Sequence, residues 1–183
     1  MAAVTNLPFR FLCKQYGAGM VFTEQINATQ IARCPEKFSN NENLTIKTIR
    51  DEKPVGVQLF GTDEDDFAEA VAAVKKNFDL ININAGCPSH KEVSIGAGAA
   101  LLKAPEKIRG IVEACKSATK KPVTVKIRLG WDCDNSVRIS KMLEKAGADG
   151  LIIHGRTALQ GYSGTADWKA IGKVVSAVSI PVV

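Results

Sequence analysis

Short runs of β-branched and apolar residues alternate with longer amphipathic stretches along the whole sequence. Each short run has the length and composition of a buried strand. The predicted strands are Met20–Glu24, Val55–Leu59, Leu80–Asn84, Val123–Ile127, Gly150–Ile153 and Pro181–Val183. Strands that are apolar throughout and separated by helices form parallel sheets covered by those helices. The alternation therefore predicts an α/β fold.

The clearest amphipathic stretch runs from Asp63 to Phe78. Its apolar residues recur at the helical spacing i, i+3, i+4, i+7: Phe67, Ala70, Val71 and Val74. Thr62 or Asp63 is a suitable N-cap, and Gly17 and Gly147 stand where C-terminal caps are expected. Further helices are predicted at Asn6–Gln15, Pro105–Thr119, Asn135–Ala146 and Asp167–Ala177.

Polar residues follow successive predicted strands at their C-terminal ends. They are Glu24, Gln58, Asn82, Asn84, Lys126, Arg128, His154 and Arg156. An open sheet concentrates its functional residues at one switch point, whereas a barrel brings the ends of all its strands around one mouth. The pattern favours a (β/α)8 TIM barrel over a doubly wound sheet.

The number of strands falls short of a complete barrel. Six strands are recognisable, and Met1–Val4 could add a seventh as a stub, whereas a barrel needs eight and about 250 residues. We therefore expect residues 1–183 to be a truncated TIM-barrel domain, which by itself would be poorly soluble or molten.

The composition excludes several classes of protein. Hydrophobic residues make up 45% and charged residues 23% of the chain, which is typical of a soluble globular domain. No apolar run approaches the roughly 20 residues that a membrane helix needs, and no signal pattern opens the sequence. These features indicate a cytoplasmic protein. The net charge of +5 is compatible with a phosphate-rich partner but is weak support by itself.

The five cysteines do not form a metal-binding or disulfide pattern. They are an odd number, widely spaced, and include no C-x-x-C pair. Single thiols in such a protein are mostly core residues, so a functional cysteine has to be identified from its surroundings.

Cys87 has unusual surroundings, because it follows a buried strand in the segment Asn84-Ala85-Gly86-Cys87-Pro88. Loops at the C-terminal end of a barrel carry the catalytic groups. A thiol there, near His90 and Lys91, could act as a nucleophile or a proton donor. A buried structural cysteine before a turn explains the segment equally well, and the residues alone leave both interpretations open.

Several motifs, in order along the chain, resemble those of the tRNA-dihydrouridine synthases. They are MAAVTNLPFR at 1–10, VQLFG with Gln58, NAGCPS at 84–89, GAGAALL at 96–102, VKIRLGW with Lys126, and HGRT at 154–157. One such segment would be weak support. Together they cover nearly the whole chain at the spacings of the family.

The resemblance implies an FMN-dependent reduction of uridines in tRNA to 5,6-dihydrouridine. In that family the reduced flavin delivers hydride to C6 of the uracil, and a cysteine, here Cys87, supplies the proton to C5. NADPH or NADH would reduce the flavin. We also expect a monomer, and the sequence features above predict no metal site and no membrane contact. A C-terminal helical domain that holds tRNA would lie outside this chain.

The resemblance also assigns binding residues. Those implied at the flavin are Met1, Ala2, Ala3, Gln58, Lys126, His154 and Arg156. Lys126 would place a cation near the N1–C2=O edge of the ring, and Gln58 would pair with its pyrimidine edge. The residues implied at the substrate are Asn84, Lys91 and Arg128. Trp131 and Tyr162 could stack on bases or simply pack their loops.

Some features depart from the family pattern. Ala3 stands where the family usually has Gly, and Ser94 where a basic residue is frequent. The phosphate-binding turn after strand seven and the segment after strand eight would follow Val183. We therefore expect residues 1–183 alone to bind FMN weakly.

Three other functions fit the sequence less well. A flavin barrel of the dihydroorotate dehydrogenase type shares the Cys-Pro loop and the lysine, but the MAAVTNLPFR and HGRT segments argue against it. A barrel that binds RNA without flavin would not need Gln58, Cys87, Lys126 and His154 together. A metal-dependent aldolase or isomerase would need a ligand cluster that the sequence lacks.

Overall fold

A computed structural model describes residues 2–40 and 43–183 and contains one five-stranded sheet. The strands are β1 (Val21–Asn27), β2 (Val55–Phe60), β3 (Leu80–Ala85), β4 (Val123–Arg128) and β5 (Gly150–His154). They pair in parallel in the order in which they follow one another along the chain. The predicted α/β class and these five strands are confirmed, with ends that differ by at most three residues.

Two predicted strands are not formed as strands. The segment Pro181–Val183 runs parallel to β5 and exchanges backbone hydrogen bonds with it, but only the pair Leu151 and Val182 forms a bridge. Residues 2–4 lie in a turn, in which Ala3 has φ +58°. A left-handed residue cannot continue an extended strand. The predicted stub is therefore wrong for residues 2–4, while Met1 lies outside the described residues.

The connections between strands are mainly helical. The helices are α1 (Leu7–Gln15), α2 (Ala28–Arg33), α3 (Glu36–Ser39), α4 (Glu64–Val74), α5 (His90–Ser94), α6 (Pro105–Ala118), α7 (Ser136–Lys145) and α8 (Trp168–Ala177), with 3-10 turns at Arg50–Glu52 and Gly98–Lys103. The Asp63 carboxylate caps α4 by accepting from the backbone N–H of Asp66 at 3.0 Å. Gly17 and Gly147 have φ of +88° and +95°, as the predicted C-terminal caps require.

The two faces of the sheet differ in chemistry, because side chains alternate along each strand. One face is apolar. There Val57, Ile81 and Val125 belong to the same buried cluster as Phe67 of α4 and Ile108 of α6. The opposite face carries polar side chains that bond to one another. The helices thus bury one face, and the second face is left for a site.

Helix α1 is held beside this polar face by a buried ion pair. Arg10 of α1 donates to both carboxylate oxygens of Glu52, at 2.8 and 3.2 Å, and also to the carbonyl oxygens of Thr5 and Lys47. Both charged side chains are almost fully buried. In the part of the chain that the structure describes, no helix has the length and apolar character needed to cross a membrane.

Candidate functional site

The register of the strands aligns the polar residues into rows across the second face. Gln58 of β2 stands beside Asn82 of β3, and Asn82 stands beside Thr124 of β4. One step further along the strands, Asn84 is level with Lys126. Arg128 and His154 form the last such pair, at the ends of β4 and β5. The predicted gathering of polar strand ends at one edge is therefore present.

The first row is a chain of side-chain hydrogen bonds. Gln58 Nε2 donates to Asn82 Oδ1 at 2.7 Å, and Asn82 Nδ2 donates to Thr124 Oγ1 at 2.9 Å. Gln58 and Asn82 are both buried. Buried amides are stable only when their polar atoms are paired. The row therefore holds Gln58 in one orientation.

Asn84 connects this row to the loop that carries Cys87. Its Oδ1 accepts from the backbone N–H groups of Gly86 and Cys87 at 3.1 and 3.0 Å. Its Nδ2 donates to Gln25 Oε1 and Gln58 Oε1 at 2.7 and 3.0 Å. The Asn84 amide therefore fixes the backbone conformation of the loop at Gly86 and Cys87. Two acceptances and two donations within the protein use all four hydrogen-bonding positions of this amide, and its contact with the substrate stays a prediction.

The loop brings Cys87 against Gly98. The carbonyl oxygen of Cys87 accepts from the N–H of Ala99 at 2.8 Å. Gly98 has φ +58°, and a Cβ at this position would lie 2.6 Å from that same carbonyl oxygen. The small residues of 96–100 thus allow the close approach that places Cys87, which remains partly exposed.

Glu92, on the short helix α5, is a site residue that the sequence analysis missed. Its side chain is 5% exposed. Its Oε1 accepts from Gln25 Nε2 at 2.9 Å, and its Oε2 faces the Cys87 thiol at 3.7 Å. The only sequence signal was an acidic residue five positions after the cysteine, which is indistinguishable from a surface glutamate.

A cavity of about 410 Å³ lies between the polar face and α1. Gln58 and Lys126 line it together, with Thr23 and with Phe9 of α1. Burial lowers the pKa of Lys126, and the charge of Arg128 lowers it further. An anionic or strongly polar group that binds beside this buried ammonium therefore stabilises its charged form.

His154 and Arg156 lie at the end of β5 and do not line this cavity. Arg156 Nη1 lies 3.1 Å from His154 Nε2, and Arg156 Nη2 donates to the carbonyl oxygen of Gly164. Burial and the charges of Arg128, Lys126 and Arg156 lower the pKa of His154 to about 4. The imidazole is therefore neutral at pH 7, and its Nε2 accepts from Arg156. The Nε of Arg156 is buried without a protein partner.

Arg128 is a structural clamp. Its guanidinium, 1% exposed, donates to the carbonyl oxygens of Gly86, Thr157 and Gly161 at 2.8, 3.0 and 2.7 Å. These carbonyls belong to the loops after β3 and β5. Arg128 therefore joins these two loops, and its contact with the substrate stays a prediction.

The remaining predicted residues are on the surface. Ala2 and Ala3 are exposed, and the wall of the cavity begins at Thr5, so these two do not line it here. Lys91 is exposed on α5 and lines a separate groove of about 600 Å³ with Gln25 and Arg33. Met1 lies outside the described residues.

The two loop aromatics differ in their surroundings. Lys103 Nζ lies 3.9 Å above the Trp131 ring, which is partly buried against the core. Tyr162 is 75% exposed, with its ring centroid 6.0 Å from that of His154. Trp131 is thus a packing residue, while Tyr162 presents an open ring at the end of β5.

The charges around the site favour an anionic ligand. Lys126, Arg128 and Arg156 lie at neighbouring strand ends, and Glu92 is the acidic group at the Cys87 loop. Within residues 2–40 and 43–183, no group of three His, Cys, Asp or Glu side chains could hold a metal ion.

A family model described as dihydrouridine synthase (Dus) matches residues 1–183. The chain is 39% identical over 188 residues to a probable tRNA-dihydrouridine synthase of Rhodobacter capsulatus, covering all of this chain and 56% of that protein. It is 39% identical over 187 residues to tRNA-dihydrouridine synthase B of Pseudomonas aeruginosa, covering 54% of that protein. The chain thus spans about half the length of the curated relatives it matches.

Solved structures with similar folds are more distant in sequence. A variant of NCR from Zymomonas mobilis matches with a TM-score of 0.60 and 16% identity, over 99% of this chain and 69% of that one. Phosphonopyruvate hydrolase with oxalate and Mg²⁺ matches with a TM-score of 0.54 and 15% identity, over 97% and 72%. These likenesses bear on the fold alone, which is that of a (β/α)8 barrel whose five described strands do not close.

Proposed function

Because the chain belongs to the dihydrouridine synthase family, we propose that the protein is an FMN-dependent oxidoreductase that reduces uridines of tRNA to 5,6-dihydrouridine. The relatives named for this activity are about twice as long as the chain, so the activity of the whole protein is an inference from family membership. The observation that carries it is the position of Cys87, on a loop that Asn84 holds beside the polar row containing Gln58.

The residues on the polar face fit a flavin. Gln58 and Lys126 share a cavity of about 410 Å³, within the range of sites that hold small molecules and cofactors. Beyond its bonds to Asn82 and Asn84, the Gln58 amide keeps one N–H and one oxygen lone pair for a ligand, and Lys126 supplies a cation. The buried, unpartnered Nε of Arg156 is a free donor among the cations at the strand ends. When bound, FMN would supply the hydride that adds to C6 of the uracil.

In this proposal Cys87 carries the proton. Its Sγ–H bond breaks as the proton passes to C5 of the uracil, and the resulting thiolate is reprotonated from solvent before the next turnover. Asn84 and Arg128 position the loop from which the thiol acts. Lys126 would hold the flavin, and an anionic group bound there would offset the cost of burying the ammonium.

The reductant and the partner follow from the family. A nicotinamide cofactor, NADPH or NADH, would reduce the flavin, and tRNA would bind at the open ends of the strands. Exposed Lys91 and the net charge of +5 suit an RNA phosphate backbone. We propose that the protein acts as a monomer without a metal ion.

The role of Cys87 can be tested by replacing it with alanine. Cys87→Ala is expected to retain flavin and to be reduced by NADPH at the parental rate, because the thiol takes no part in that half-reaction. Dihydrouridine formation on unmodified tRNA should fall roughly 10²–10⁴-fold, the usual contribution of a placed general acid. Cys133→Ala, which alters an exposed thiol, is the control. Unchanged tRNA reduction by Cys87→Ala would contradict the proposal.

The flavin site can be tested separately through Lys126. Lys126→Met keeps the length of the side chain and removes its charge, so the purified variant should hold less flavin. Because a charge-assisted hydrogen bond contributes about 1.5–3 kcal/mol, affinity should fall roughly ten- to hundredfold. Flavin absorbance and fluorescence titration measure it, with Lys141→Met on the exposed face of α7 as the control. Equal flavin content in both variants would place the ring elsewhere.

A further inference from the structure

Glu92 is buried although it belongs to a short helix whose other polar residues face solvent. On α5 the side chains of His90, Lys91 and Ser94 are exposed, whereas Glu92 is 5% exposed. Burying a carboxyl group is costly unless it has partners. Glu92 has two, the amide of Gln25 at 2.9 Å and the thiol of Cys87 at 3.7 Å. The direction of its side chain is thus fixed toward the cysteine.

The surrounding backbone leaves Glu92 little freedom. A Cβ at Gly98 would lie 3.3 Å from the Cβ atoms of both Glu92 and Cys87, so these three residues are in contact. Gln25 is itself held by Asn84 Nδ2 at 2.7 Å. Glu92 is therefore the end of the polar network that begins at Thr124, and Cys87 is the group that it faces.

The charges around Cys87 have opposite signs. From β4, Lys126 and Arg128 interact electrostatically with the thiol, and from α5 the Glu92 carboxyl group faces it. Cations next to a thiol promote its ionisation, and a thiolate has no proton to give. A negative charge close to the sulfur acts in the opposite direction.

We propose that Glu92 is the positioning residue that keeps Cys87 in its protonated form, as a hydrogen-bonded thiol, against the two cations of β4. The inference deepens the proposed function, because it rests on Cys87 acting as the general acid there. Glu92 touches neither the uracil nor the flavin in this scheme. It accepts the S–H hydrogen bond and opposes the formation of a second negative charge at the sulfur.

The test is the rate at which Cys87 reacts with iodoacetamide, which modifies only the thiolate. Glu92→Gln keeps the shape of the side chain and the acceptor for Gln25 but removes the charge. Alkylation of Cys87 at pH 7, followed by mass spectrometry of its peptide, should be roughly three- to tenfold faster in Glu92→Gln than in the parent protein. Glu69→Gln, at an exposed position on α4, should react at the parental rate.

A conservative variant distinguishes charge from structure. Glu92→Asp retains the negative charge, so its alkylation rate should lie closer to that of the parent than to that of Glu92→Gln. If Glu92 serves only to pack α5, Glu92→Asp should change the alkylation rate of Cys87 at least as much as the isosteric Glu92→Gln does. Equal rates for Glu92→Gln and the parent, or equal changes in both variants, would overturn the proposal.

The readout is independent of tRNA reduction. Accelerated alkylation in Glu92→Gln supports control of the thiol by Glu92 even if Cys87→Ala still reduces tRNA, in which case it is the proposed function that fails. Conversely, an inactive Cys87→Ala together with an unchanged Glu92→Gln alkylation profile leaves the proposed function standing and removes the role of Glu92.

Discussion

His154 shows how its neighbours set the protonation state of one side chain at the end of β5. The charges of Arg128, Lys126 and Arg156 add to the effect of burial, and together they lower the pKa of the imidazole to about 4. A neutral imidazole can accept a hydrogen bond from Arg156, whereas an imidazolium would repel it. The arrangement of this strand end therefore depends on His154 remaining unprotonated.

This dependence predicts an acid sensitivity. Between pH 6.5 and about 4 the unfolded chain binds a proton at His154 that the folded protein does not, so the free energy of unfolding rises with pH in this window. The stabilisation is complete above pH 6.5 and is lost as the pH falls. His154→Gln should show a smaller decrease in Tm between pH 6.5 and pH 4 than the parent does. Parallel Tm profiles would contradict the assignment.

The sequence was sufficient to predict where some residues of the site lie. It was not sufficient to predict the hydrogen-bond partners of others. The positions of Gln58, Lys126 and His154 could be predicted because the end of a parallel strand fixes where a side chain lies, although His154 does not line the cavity. Asn84 and Arg128 were correctly placed, yet their bonding was not foreseen, since it requires the loops after β3 and β5 to meet. Family membership, inferred from motifs in order, is confirmed by the family model.

At the scale of elements, the segment from Cys87 to Gly98 folds back on itself to present the thiol. Helix α5 and the turn at Gly96 return the chain so that Ala99 bonds to the Cys87 carbonyl. Strand positions could be predicted from their apolar composition. This return could not, because it depends on the left-handed conformation of Gly98 and on contacts between residues eleven positions apart.

We expect Gly98→Ala to displace the Cys87 loop. A left-handed alanine costs about 1–2 kcal/mol, and a Cβ 2.6 Å from the Cys87 carbonyl oxygen forces the backbone to move as well. Gly161→Ala is the matched control, because Gly161 has φ +56° and nothing lies within 4 Å of its added Cβ. Urea unfolding and Cys87 alkylation should both change more in Gly98→Ala than in the control. Equal effects would show that conformation alone, without the close contact, accounts for the loss.

At the scale of the whole molecule, one ion pair joins α1 to the rest of the chain. Helix α1 forms a wall of the cavity on the polar face, and its Cys13 also packs against the apolar core. Its attachment depends on Arg10 and Glu52, both of which are buried. The pair therefore helps to hold this wall of the cavity in place.

Removing either Arg10 or Glu52 should destabilise the folded protein. Glu52→Gln or Arg10→Met should each lower the free energy of unfolding by about 3–5 kcal/mol, because each leaves an uncompensated buried charge. The double variant should lose less than the sum of the two, with a coupling above about 1 kcal/mol. Urea unfolding measures all three.

The exposed pair Arg109 and Glu113 is the control, with a coupling of about 0–0.5 kcal/mol. Additive losses at Arg10 and Glu52 would contradict the prediction.

Asn84 and its hydrogen-bonded neighbours also limit which side chains this part of the molecule can accommodate. Two backbone N–H groups fix the direction of the Asn84 amide, and Asn84 in turn fixes the directions of Gln25 and Gln58. An Asn84→Asp change would keep the acceptors but remove both donors, leaving two buried oxygens facing a carboxylate. A change at one of these positions therefore leaves a buried or half-buried polar group without its partner, so Gln25, Gln58 and Asn84 are energetically interdependent.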